Sequence, residues 1–482
     1  MILLVFTPLA LAVGTQPQAL DVAGVYKIAG IDPNLTGEGI SIGLVCRSDT
    51  YIDSKPQNDY RPDISHKCFE NSSVDFYDDN AVAPGVSNHS TAIASILIGS
   101  DPNASYPSLG NFSYKSAAPD AKLNVYEFWN FIVDYVFPAH WPKEDFITMS
   151  LGWSCEAWWT RGIDNIADSF GLLIIASIGN GKNAYDLPLY PAAGANVLAV
   201  GVADSNGSLA DFNAPDANRS TAGPTIDGRC KPDIVAPGNC LVAIADSNPD
   251  ASGYRPSGDY SSFAAPVAAG VASMLIQKAK TDPNLQLAAS SFAGNCVMKS
   301  ILMTGAEKLT GWHKGYPDSN DDSEYPLDFR QGAGMLDGLA AYNILTAGMQ
   351  PRLIGDVKTA GWDINIIEPN YIADKIYRFQ TAANPDASGL TATLVWNRNY
   401  QDQYPFNLNS ELWTDLQLQL RTIDEDGRIN PIDYSDSPVD NVEHLYVPLD
   451  PNTTYELVVS HSLNSQLPKG FAVYALSWQI SE

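Results

Sequence analysis

Cationic residues are scarce in this 482-residue chain: 28 Lys and Arg stand against 55 Asp and Glu, a formal charge of −27. That balance argues against nucleic acid or an anionic membrane surface as partner. Long apolar runs are scarce too. Met1 to Val13 are nearly all apolar and lead into Gly-Thr-Gln-Pro-Gln-Ala, a run too short for a membrane span but as long as a signal-peptide core, though without the usual Lys or Arg. We therefore expect a signal peptide over residues 1–19 and a secreted or extracellular protein that is free of the membrane after cleavage. Cysteine is limited to Cys46, Cys68, Cys155, Cys230, Cys240 and Cys296, with no Cys-x-x-Cys spacing, which argues against a metal knuckle. An even number in an exported chain predicts disulfides. Cys230 and Cys240 are candidates to close a short loop and Cys46 to pair with Cys68, but spacing alone does not assign partners. Sequons at Asn34, Asn71, Asn88, Asn103, Asn111, Asn206, Asn218 and Asn452 would take glycans in a eukaryotic secretory route.

Hydrophobic residues, at 45%, are ample for large cores, and the length predicts two to four domains. Up to about residue 345, strand-like runs alternate with helical ones, which implies a parallel sheet covered on both faces. The texture then changes. Runs such as Thr391–Trp396, Asp415–Leu420, His444–Leu449, Thr454–Val459 and Phe471–Trp478 alternate with period two between Asp-Gly, Asn-Pro and Pro-Asn turns, which predicts a β-sandwich. The boundaries expected are 20–348 for the α/β part and 351–482 for the sandwich. Acidic loops at Asp424-Glu425-Asp426 and from Asp433 to Asp440 read as turns, with structural Ca²⁺ as the alternative.

Three segments carry chemistry. In Tyr260-Ser261-Ser262-Phe263-Ala264-Ala265-Pro266 a Ser opens a small-residue helix, Pro266 suits a first turn, and the positive helix end faces any developing oxyanion. Alternatively, the Ser caps a buried Ala-rich helix. In Asn88-His89-Ser90-Thr91-Ala92 the His heads an apolar helix, a setting that none of the other five His has; it reads as general base or as polar cap. Asn180 ends the apolar run Ile174 to Gly181 and reads either as a side-chain donor or as an Asn-Gly turn.

These segments, together with Asp145–Gly152, Tyr190–Ala193, Val197–Gly201, Lys231-Pro232-Asp233-Ile234-Val235-Ala236-Pro237-Gly238 and Gly332–Asp337, resemble the subtilisin-like serine peptidases in kind and in order over roughly residues 20 to 345. The resemblance implies a three-layer α/β domain with Ser262 as nucleophile, His89 as base, and Asn180 beside the Ser262 N–H as oxyanion donor. It implies a secreted serine endopeptidase acting on a protein or peptide substrate, monomeric and needing no cofactor. The chain departs from the family at the acid: in Gly37-Glu38-Gly39-Ile40-Ser41-Ile42-Gly43-Leu44-Val45-Cys46, Cys46 stands where the family has Asp. In subtilisin itself, loss of that Asp costs about 3 × 10⁴ in turnover. Asp49 and Asp53 follow closely and read as substitutes or as surface-loop residues. Ser90, Tyr260 and Trp153 also replace small family residues and are expected to crowd the site. The competing readings are an impaired relative that binds peptides without turnover, and an adhesion protein working through the sandwich.

Overall fold

The computed structural model describes residues 14–47, 51–53, 55–56, 60–77, 85–181, 186–245, 253–316, 323–351, 355–368, 374–382, 388–408, 414–424, 426–461 and 470–481. Seven parallel strands form the central sheet: β1 (Ser41–Cys46), β2 (Ser73–Tyr77), β3 (Lys122–Glu127), β4 (Phe146–Met149), β5 (Leu173–Ser177), β6 (Leu198–Ala203) and β7 (Ile234–Pro237). Their spatial order is 7-6-5-4-1-3-2. β4 to β7 are buried throughout, as expected of strands covered on both faces.

One face carries the helices Asn88–Ile98 and Ser261–Thr281, packed on Ile42, Leu44, Leu123 and Val125; the other carries Trp158–Phe170, packed on Val45, Ile147, Ile174 and Ala199. The sheet lies between these two helical layers. The long central helix approaches its neighbours closely: a Cβ on Gly270 would stand 2.5 Å from the Ala117 Cβ, so this helix needs its small residues.

Beyond Gly338–Ala347 come two four-stranded antiparallel sheets. One runs in the order β8 (Ala360–Ile367), β15 (Ala472–Ser481), β10 (Ser388–Trp396), β13 (Val442–Leu449). The other runs β9 (Lys375–Gln380), β14 (Thr454–His461), β11 (Leu416–Ile423), β12 (Ile429–Ser435). Inward Leu, Tyr and Trp side chains of both sheets fill one apolar core. The sandwich is joined to the α/β part by buried polar contacts. Thr304 Oγ1 meets Thr393 Oγ1 at 2.8 Å and Ser477 Oγ at 2.7 Å, and Asn196 donates to the Arg398 carbonyl at 2.8 Å.

The Lys-Pro-Asp segment has a structural task. Buried Asp233 accepts from Lys231 at 2.7 Å, from Lys299 at 2.9 Å and from the Ala199 N–H at 2.7 Å, tying β6, β7 and the helix Gly294–Thr304 together. Asp233→Ala leaves two buried ammonium groups facing each other without a counter-ion. The expected cost is about 3–5 kcal/mol, read as a fall in the urea midpoint; a variant within 1 kcal/mol of the parent on that scale would remove the triad from the fold's support.

Two sequence expectations change. The six cysteines are all free thiols. Cys68 faces His66 Nδ1 at 3.1 Å, and the thiol of Cys46 is turned to the Ser90 hydroxyl. Cys230 and Cys240 lie beyond opposite ends of β7, whose four extended residues alone span ~13 Å, well past disulfide reach. Secondly, Pro266 is the sixth residue of its helix, not part of the first turn. Gly14–Gln16 pairs in parallel with Phe112–Tyr114, and Ala19 and Leu20 are fully buried. Residues 1–13 lie outside the described residues.

Candidate functional site

Pro266 has no N–H to return to the carbonyl of Ser262, four residues earlier. Ser150, just past β4, fills the gap: its Oγ donates to that carbonyl at 2.7 Å. The first turn is thereby pinned to the sheet. Ser262 is its second residue, half-buried, and neither its hydroxyl nor its N–H makes a hydrogen bond among the described residues. The nucleophile candidate thus sits on a fixed turn at the positive end of a 21-residue helix with both groups available.

Asn180 is fixed from two sides. Its flanking glycines take φ of +116° at Gly179 and +41° at Gly181. Thr221 donates its N–H to the Gly179 carbonyl at 3.1 Å and accepts the Gly181 N–H on Oγ1 at 3.1 Å. A Cβ on Gly179 would stand 2.8 Å from that same Oγ1, so the position requires glycine. The side chain is oriented by Ser261, whose N–H and Oγ both reach Asn180 Oδ1 at 2.9 Å. A backbone N–H can only donate, so the atom facing it is the amide oxygen, and Nδ2 points the other way. Nδ2 makes no hydrogen bond among the described residues. Two unused donors, Asn180 Nδ2 and the Ser262 N–H, are held on neighbouring elements.

His89 is the second residue of the helix Asn88–Ile98, which Ser87 caps by accepting the Ser90 N–H at 3.1 Å. The imidazole is exposed, and its centroid lies 5.8 Å from that of Phe263, the residue after Ser262. His89, Phe263, Ser257 and Arg255 border a cleft of about 440 Å³. Arg255 brings an exposed guanidinium to it that has no ion pair among the described residues. Asn88 lines the same cleft and is exposed, so a glycan there would stand at its rim.

At the acid position, Cys46 ends β1, is 4% exposed, and its thiol is pushed up to about 12 by burial, with the Ser90 hydroxyl pulling the other way. It is a neutral thiol at physiological pH and supplies no charge to an imidazolium. Asp53 is exposed at φ +50°, and Asp49 lies outside the described residues. Trp153 does not fill the site: its backbone pairs with Tyr190, and its ring packs on Phe128 and Trp159 beneath the Arg47 guanidinium. Tyr260 is 40% exposed, edge-on to Phe263. Among the acidic loops, Asp424 accepts the N–H groups of Asp426 and Arg428, and Asp440 accepts the Cys230 N–H and the Ser437 hydroxyl. Glu425 lies outside the described residues.

A Ser at a helix start, a His on the adjoining helix and two free donors over a parallel sheet define an arrangement suited to acyl transfer. The chain belongs to the subtilase family of serine peptidases, whose profile matches residues 37–334. It is similar to serine protease AprX of Bacillus subtilis (strain 168), 26% identical over 275 residues, covering 51% of this chain and 58% of that protein. It is also similar to thermitase of Thermoactinomyces vulgaris, 25% identical over 307 residues, 62% of this chain and 91% of that one. A PatG macrocyclase solved in complex with peptide matches 67% of this chain and 95% of its own at 16% identity, with a TM-score of 0.46. The family match ends before the sandwich.

Proposed function

We propose that this protein is a secreted, monomeric serine endopeptidase that hydrolyses peptide bonds without a cofactor. The observation that carries the reading is the pair of unused donors, Asn180 Nδ2 and the Ser262 N–H, beside an unengaged Ser262 hydroxyl. In this reading Ser262 Oγ attacks the scissile carbonyl while His89 takes its proton. The two donors receive the oxyanion, His89 passes the proton to the leaving amine, and water then releases the acyl group by the same steps. Export is consistent with a signal confined to the residues ahead of Gly14, since Gly14–Gln16 is a paired strand.

The test is a fluorophosphonate probe, which labels an activated Ser without any assumption about substrate. Labelling at Ser262, absent in Ser262→Ala, is the expected result. The neutral Cys46 thiol favours a second reading, a peptide-binding relative without turnover. Well-folded parent protein that takes up no probe would establish that reading instead.

A further inference from the structure

Arg255 sits on a short antiparallel hairpin, Leu241–Ala243 with Tyr254–Pro256, directly opposite Val242 in register. Side chains of directly opposed residues share a face, and those of the flanking residues take the other. Tyr254 accordingly turns inward, packs on Phe112 and Tyr114, and donates its hydroxyl to Asp101 at 3.1 Å. Arg255 and Val242 face the cleft that His89 and Phe263 border. The hairpin is held at both ends. The Ala243 N–H donates to Ser95, on the helix of His89, at 3.1 Å, and Ser257 Oγ accepts the Cys240 N–H at 2.9 Å while donating to the Gly238 carbonyl at 2.8 Å. A cation is thus carried into the cleft on a fixed element, tied to the same helix as the candidate base.

In a chain with 55 acidic residues against 28 Lys and Arg, a guanidinium without a carboxylate stands apart. Arg229, Arg378, Arg398 and Arg421 each meet one. Arg255 is exposed and has no ion pair among the described residues, and none of the described residues bordering the cleft is acidic. Val86, Ala92, Val242 and Phe263 give the cleft an apolar wall, which lowers the local dielectric and strengthens an ion pair formed there. The group that fits is a carboxylate. Which part of a substrate carries it follows from the mechanism. A general acid must reach the atom that it protonates, so the leaving amine and the chain beyond it run past His89. Asn180, which marks the oxyanion side of Ser262, does not border the cleft.

We propose that Arg255 determines specificity by pairing with an Asp or Glu side chain within the first two residues after the scissile bond, so that the substrates are peptides acidic on their leaving-group side. This rests on Ser262 and His89 acting as described under the proposed function. A protein of formal charge −27 repels acidic peptides in general, so accepting one at this point depends on a local cation.

In the experiment a degenerate peptide mixture is cleaved by the parent, Arg255→Gln and Arg255→Glu, and the residues following each cut are read by mass spectrometry. In the parent, Asp and Glu are expected about tenfold over Asn and Gln at the first or second position after the cut, the scale of one charge-assisted hydrogen bond at a partly exposed site. The preference shrinks as salt is raised. It is lost in Arg255→Gln and turns to Lys and Arg in Arg255→Glu. Identical profiles in the three proteins, or an acidic preference only before the cut, overturn the assignment, while the cleavage itself upholds the peptidase reading. A parent that neither cleaves nor takes up fluorophosphonate removes that reading, and binding then decides. A tetrapeptide with a free amino terminus and two leading glutamates, the form of the leaving product, is titrated by NMR against its glutamine counterpart. Tighter binding of the glutamate peptide by the parent than by Arg255→Gln keeps Arg255 as the carboxylate site; equal binding of the two peptides by the parent sinks it.

Discussion

His89→Ala is expected to lower kcat by at least about 10², the part of subtilisin's ~10⁶ that remains once its Asp is lost, Ser262→Ala by the same factor, and the double variant by no more than either alone. Nucleophile and base act on one proton, so removing either leaves the other without a task. What survives is the contribution of the oxyanion donors and of substrate binding, about 10³–10⁴ over water. In the free enzyme the Ser262 hydroxyl makes no hydrogen bond among the described residues and the imidazole lies against Phe263, and catalytic hydrogen bonds commonly tighten only once substrate is bound. The measurement is single-turnover acylation with an activated ester, with circular dichroism to confirm the fold. Multiplicative losses in the double variant would mean that the two residues act on different steps, and the acyl-transfer reading would then fail.

Much of this arrangement is legible in the chain because the site is built from segments whose local chemistry is strong. A His before Ser-Thr-Ala at a helix start, Asn between two glycines after a buried strand, and Ser before a small-residue helix each have a common structural use as well, and it is their order along the chain that narrows them. The parallel sheet and the sandwich are legible for a similar reason, since continuous apolar runs and period-two runs separate cleanly at about residue 350. What escaped depends on long-range contact. Ser150 and Ser262 are 112 residues apart, and only their hydrogen bond explains a proline in the sixth helical position. Ser261 reads as a neighbour of the nucleophile, and nothing local shows that it fixes the amide of Asn180. The parity of the cysteines misled, since burial accounts for five of the six without any pairing. The pairing of Gly14–Gln16 with Phe112–Tyr114 could not be read locally either, because the partner lies about a hundred residues further on.

Asn180→Ala is expected to lower kcat by about 10²–10³ with KM nearly unchanged, the scale measured for the equivalent oxyanion donor of subtilisin. The reason for a pure kcat effect is that Nδ2 has no partner among the described residues and gains one only when the carbonyl oxygen becomes charged. Alanine also strips the acceptor from the Ser261 N–H and hydroxyl, at a cost of about 1–3 kcal/mol, so lost activity in that variant mixes two causes. Asn180→Asp separates them. The carboxylate keeps the oxygen that Ser261 donates to, preserving the turn, while a second acceptor oxygen replaces the Nδ2 donor and places negative charge beside the oxyanion. Its melting temperature should therefore match the parent, and its kcat should fall at least as far as that of Asn180→Ala. A stable Asn180→Asp enzyme with parental kcat, or a rise in KM without a change in kcat, would show that Asn180 shapes the turn and plays no part in the transition state.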